Sequence, residues 1–241
     1  MPTALCKLCL ESPDLCDSHI IPEFFYRPAC DKGGRGRAKE LIRDTGRWRY
    51  IQKGHRERLL CGDCEDFLNE RYEKYVKKLW FHERILPDPL DKELVVLQGI
   101  QYPNFKLCML SILWRAGVAR GSMFRQVALG PHEKTLRNMI RNEDPGTESQ
   151  YAFATQALVM NGRVVFAALM EPVQFRYNGH RVYTFIFGGC SWNFFVGAVA
   201  PVPFARLGIR RSGELPVMKQ EFTKLDLIRD FVADHLTNPR K

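Results

Sequence analysis

Two Cys-x-x-Cys pairs bracket the first quarter of the chain and constrain its fold more than any other feature. Cys6-Lys7-Leu8-Cys9 opens the unit and Cys61-Gly62-Asp63-Cys64 closes it. Each turn lets two sulfurs converge on one ion, and two turns supply the four thiolates of a closed tetrahedral zinc site. A metal held this way fixes a small module that has little core of its own. With 241 residues the chain has room for one large domain or two modest ones. Eight cysteines without a secretory signal at the N-terminus point to metal ligation rather than disulfides, and to an intracellular, cytoplasmic protein. Cys108 and Cys190 lie in apolar patterns and read as small buried hydrophobes. No apolar run is long enough to span a bilayer.

The charge is concentrated inside the loop that the metal would close. Eleven bases against four acids between Arg27 and Arg58 leave +7 of the chain's net +9. Neutralising the phosphates of a nucleic acid is a use for such a loop; a solvated basic loop is the plainer one. Gly33-Gly34-Arg35-Gly36 marks a loop tip, and residues 47–51 alternate as a strand would. Arg35, Arg37, Arg47 and Arg49 are the expected phosphate contacts, because glycines and alternation expose them. Trp48 and Tyr50 read first as strand packing and second as base-stacking groups.

The rest of the chain reads as α+β in three stretches: 1–82 a zinc unit, 83–148 a linker and helical segment, 149–241 a β domain with a terminal helix. A helix begins at the second cysteine pair and carries Leu68, Tyr72, Val76 and Leu79 on one face. Glu65 lies near that face and should point at the preceding hairpin, with Asn69 at the same edge. Residues 83–103 hold three prolines and one short apolar piece, 94–97. Asn104 is the expected N-cap of a second helix, and Pro131 the first residue of a third. Asn161-Gly162 and Asn178-Gly179 separate apolar runs and predict hairpins. The expected β domain is an antiparallel meander of about five strands, covered by a helix over 223–236.

Between the cysteine pairs stands Ser18-His19-Ile20-Ile21-Pro22, and the second pair sits in Leu59-Leu60-Cys61-Gly62-Asp63-Cys64-Glu65. With Cys6 and Cys9, these residues resemble the zinc-bearing branch of the HNH endonucleases. That family's pattern is Asp-His-Ile-x-Pro on a first strand, then Leu-Cys-x-x-Cys-Asn/His at a helix. The likeness covers about the first third of the chain. It implies a treble-clef ββα-metal unit, with a structural zinc on Cys6, Cys9, Cys61 and Cys64. It also implies hydrolysis of DNA, His19 as general base, and Mg²⁺ or another divalent ion on the acidic side chains beside it. Ser18 stands where the family has its metal-binding Asp, and Glu65 where it has Asn or His. Asp17 and Glu65 are therefore the expected ligands of the catalytic ion. His55 lies near the position of the residue that orients the base. A role in phage defence or mobile elements is an expectation from the resemblance. Two other readings stay open: a nucleic-acid-binding module without activity, and a structural or protein-interaction zinc domain.

Overall fold

A computed structural model of the protein describes residues 4–30, 37–42, 47–52 and 54–225, with backbone alone for 37–42 and 47–52. Strand β1 (Leu15–His19) pairs antiparallel with β4 (Arg56–Cys61), and α2 (Gly62–Leu68) follows directly. The chain between them makes α1 (Glu23–Tyr26), a 3-10 turn at Arg27–Ala29, and an antiparallel hairpin of β2 (Arg37–Ile42) with β3 (Arg47–Gln52). This hairpin, the arm, is an excursion from the β1–β4 ladder.

Helix α2 runs on through a π turn (Asn69–Glu73), α3 (Lys74–Lys77) and a second π turn (Lys78–His82). The reason is visible in its apolar spacing. Leu68, Tyr72, Val76 and Trp80 repeat every four residues and all are buried. An α-helix holds about 3.6 residues per turn, so a strict repeat of four would wind off its partner. Two wider turns absorb the drift and keep all four side chains on one seam.

Helix α4 (Tyr102–Val118) is the centre of the molecule. Every residue from Phe105 to Ala116 is buried, including Lys106, Ser111 and Arg115. It packs against the long helix and α5 (His132–Arg141). The helix starts at Tyr102 with Gln101 as N-cap, not at Asn104. Asn104 instead donates its side-chain N–H to the Arg71 carbonyl at 2.8 Å, tying α4 to the long helix. Pro131 is the N-cap of α5, so the helix starts at His132, one position after the predicted start.

The sheet is antiparallel-rich with one parallel pair, in the order β5 (Leu94–Leu97), β11 (Leu215–Glu221), β6 (Phe153–Met160), β10 (Cys190–Val196), β9 (His180–Phe187), β8 (Met170–Tyr177). Short β7 (Arg163–Val164) folds back on β6. The expected meander is therefore incomplete. β8, β9 and β10 form it, but β10 rather than β8 lies beside β6, as in a Greek key. The Asn161-Gly162 turn makes only a two-residue return before the chain crosses to the far edge. Both Asn-Gly pairs adopt positive φ, as predicted for tight hairpins. β11 adds to β6 in parallel, and β5, the apolar piece of the predicted linker, pairs with β11 at the edge.

Phe153, Trp192 and Phe194 on one sheet face meet Phe105 and Trp80 from the helices. The opposite face packs Val182 and Phe195 against Phe204 of α6 (Val202–Leu207). At the β9–β10 turn, Gly188 lies so close to Phe25 that an added Cβ would stand 2.6 Å from its ring. The Trp80 indole N–H donates to the Gly188 carbonyl at 2.8 Å. One continuous core thus runs through all three stretches of sequence. Beyond the 3-10 turn at Phe222–Lys224, the predicted terminal helix lies outside the described residues. Among the described residues no helix is long and apolar enough to cross a membrane.

Candidate metal centre and the histidine face

The first cysteine pair sits in a turn closed by the Leu10 N–H on the Cys6 carbonyl, 2.9 Å, and tied to β4 by the Lys7 N–H on the Leu59 carbonyl, 2.9 Å. The second pair comes with the helix start: Cys61 is the N-cap of α2 and Cys64 lies in its first turn. These two elements bring all four sulfurs within 4.8 Å of one another. Zinc–sulfur bonds of about 2.3 Å in a tetrahedron put sulfurs about 3.8 Å apart. Cys9 Sγ and Cys61 Sγ stand at 3.9 Å. Donor type, number and spacing all fit a metal ion such as zinc.

The thiols themselves call for a cation. Burial pushes the Cys61 and Cys64 thiols up, and the neighbouring sulfur charge of Cys6 adds to this. Burial also works to raise Cys9, but backbone hydrogen bonds at Ser12 and Glu11 outweigh it and bring that thiol down to about 7. Four thiolates so close repel one another unless a dication lies between them. Cys16 is exposed and outside the cluster.

The β1–β4 ladder contains a bulge. Leu15 faces Cys61 and Asp17 faces Arg58, so Leu59 and Leu60 together oppose Cys16. Both leucines are buried as a result. Ser18 Oγ accepts the Leu60 N–H at 3.1 Å and is itself fully buried. Ser18 therefore stabilises the bulge and is not placed to hold an ion.

Asp17 and His19, two residues apart, share the other face of β1. His19 pairs with Arg56 in register, and the Arg56 Nε–H donates to His19 Nε2 at 2.9 Å. The same guanidinium stands 3.8 Å from the Asp17 carboxylate, which is mostly exposed. His19 Nε2 is thus an unprotonated acceptor, with the arginine between it and the aspartate. His55 precedes β4; its ring meets Phe124 edge-on at 5.8 Å and its N–H donates to the Tyr26 hydroxyl. Its carbonyl accepts the Ile20 N–H, so His55 continues the ladder beyond His19.

Glu65 is half-buried on α2, which packs on both β1 and β4. Its Oε1 is shielded from solvent and has no hydrogen-bond partner among the described residues. An orphaned carboxylate oxygen is suited to a cation. Among the described residues, however, the four cysteines are the one group of three or more ligands that converges. His19, Asp17 and Glu65 do not close on a common point. Arg35 lies outside the described residues; Arg37 is on β2, and Arg47 and Arg49 on β3, with side chains outside the description.

Sequence reasoning missed two residues that build this site. Arg56 was one of eleven bases in a basic loop, and only the strand register sets it opposite His19. Arg115 of α4, 1% exposed, donates to the His19 carbonyl at 2.9 Å and pairs with Glu73 at 2.8 Å. A charge inside an apolar helix face is the signal that marks it. In comparisons with family models, curated proteins and solved structures, nothing matches this chain.

Proposed function

We propose that the protein is a zinc-stabilised nuclease of the HNH type, hydrolysing DNA phosphodiester bonds on the His19 face. The observation that carries this reading is the contact between His19 Nε2 and Arg56. It supplies an unprotonated base and a guanidinium suited to phosphate on the paired strands β1 and β4. The four cysteines, the β1–β4 ladder and α2 would serve as the treble-clef frame that such a site needs, in which zinc has no chemical role.

A phosphate is a better partner for a guanidinium than a neutral imidazole is, because it offers two charged acceptors. When the scissile phosphate arrives, Arg56 turns from His19 to its oxygens. Nε2 then takes the proton of a water as that water's oxygen bonds to phosphorus, and the bond to the leaving oxygen breaks. Arg115 fixes the main chain under His19 through its carbonyl. A divalent ion on Glu65 would supply charge to the phosphate and the leaving group. Arg35, Arg37, Arg47 and Arg49 would neutralise the nucleic-acid backbone.

A second reading has its own support. Ser18 is committed to the bulge, and among the described residues no three-ligand set converges beside His19. These features favour a module that grips DNA without cutting it. Cleavage of plasmid and single-stranded DNA with Mg²⁺, Mn²⁺ or Ni²⁺ separates the two. The nuclease reading expects cleavage by the wild type and a loss of at least about 100-fold in His19→Ala, the range of general-base contributions. Equal cutting by both removes His19 from the reaction. Salt-sensitive binding without cleavage by either gives the second reading its case.

A further inference from the structure

A cavity of about 600 Å³ lies between the end of the long helix, the loop after it and the β6–β7 return. That volume lies in the range of small-molecule sites. Phe81 and Phe166 form an aromatic wall, with ring centroids 6.2 Å apart and both rings half-exposed. Arg84, Arg163 and Asp88 stand around it, and Pro28 closes the side nearest the arm. Asp88 is already engaged: one oxygen accepts the Val164 N–H at 3.0 Å and the other pairs with Arg163 at 3.1 Å. Arg84 has no hydrogen-bond or ion-pair partner among the described residues. The cavity therefore joins flat aromatic surface to one excess positive charge.

Arg84 adds a second observation. It follows the helix end at φ +52°, in the left-handed region that helix termini usually give to glycine. A side chain with a Cβ is strained there. An arginine in that position is a conformational cost that packing does not explain, because the residue is exposed. Strain of this kind is a pointer to use.

We infer that this cavity binds one nucleotide, with its base against Phe81 and Phe166 and its phosphate on Arg84 and Arg163. Base–aromatic stacking tolerates any base, and guanidinium groups match phosphate oxygens. The nucleotide is either free or the unpaired end of a strand. The inference rests on the nucleic-acid reading for the second source only. Pro28 belongs to the turn from which the chain passes to β2, so the cavity lies at the root of the arm.

The test is calorimetric titration of the full zinc-loaded chain with deoxyadenosine monophosphate, deoxyadenosine, a blunt duplex and the same duplex with a one-nucleotide overhang. Wild type should bind the monophosphate at least tenfold more tightly than the nucleoside. Arg84→Gly should lose tenfold or more of that affinity while its Tm stays level or rises, because glycine adopts the left-handed backbone freely. Phe166→Leu should weaken binding several-fold. Preference for the overhang in wild type but not in Arg84→Gly identifies a strand end. Monophosphate binding with equal affinity for the two duplexes identifies a free nucleotide. No monophosphate binding together with no overhang preference overturns the inference, and so does wild-type affinity in Arg84→Gly. His19→Ala should leave the monophosphate affinity and the overhang preference unchanged. Failure of cleavage thus leaves the cavity standing, and failure of the cavity leaves cleavage standing.

Discussion

Lys106 is fully buried within α4, its ammonium held by the Tyr102 hydroxyl and the Thr147 carbonyl. Burial, and next the positive charge of Arg211, bring it down to about 8. An unfolded lysine titrates near about 10.4. Between these values the unfolded chain binds more protons, so stability rises with pH across that window, and the full penalty applies below it. In Lys106→Met this dependence disappears. The difference in urea midpoint between wild type and variant should shift in favour of wild type from pH 7.5 to pH 10; a constant difference would contradict the assignment. Residues of this kind are hard to read from sequence, because a lysine in an apolar run gives no sign of its partners. The cysteines are legible because a fixed spacing encodes their chemistry. Cys108 and Cys190 are legible from apolar surroundings, and both are buried. Ser18 is not, since its role comes from a bulge in a strand some forty residues away.

At the scale of elements, Arg115 is the clearest joint. Its guanidinium bonds the His19 carbonyl, the Ser111 carbonyl and hydroxyl, and the Glu73 carboxylate, linking α4, β1 and the long helix. Removing one partner of a buried ion pair strands the other. Arg115→Met should cost about 3–5 kcal/mol in urea unfolding. The double variant with Glu73→Leu should recover much of this, and an equal loss in both would mean that the pair is not the cause. The helices are legible because their apolar faces recur along local sequence, and the two hairpins because Asn-Gly carries its own turn geometry. β11 is not. Pro216 argues locally against a strand, and its partners, β5 and β6, are distant in sequence. The π turns show only as a repeat of four where 3.6 is usual.

For the whole molecule, the shared core makes metal loading a global matter. Stripping the metal with a chelator should lower Tm by at least about 6 °C, since about 3 kcal/mol shifts a chain of this size by that much. Sheet and helix signals should fall together, read by far-UV circular dichroism and tryptophan fluorescence. A sheet that melts unchanged while the first third unfolds would refute that coupling. Cys61→Ser should behave as the chelated protein does. The contact of Gly188 with Phe25 and Trp80 is the physical reason: the β9–β10 turn rests on side chains whose positions the cysteine frame sets.

The arm departs from a ladder that is already complete. Ile20 and His55 are hydrogen-bonded across its base at 3.2 Å, so the two ends are held as neighbours whatever lies between them. Lengthening a closed loop raises its entropic penalty only slowly, about 0.6 kcal/mol per doubling. Phe24, Phe25 and Tyr26 of α1 belong to the core, but the stretch beyond them can change in length at little entropic cost while the histidine keeps its geometry. It is a natural point of exchange, at which one scaffold can carry a different hairpin.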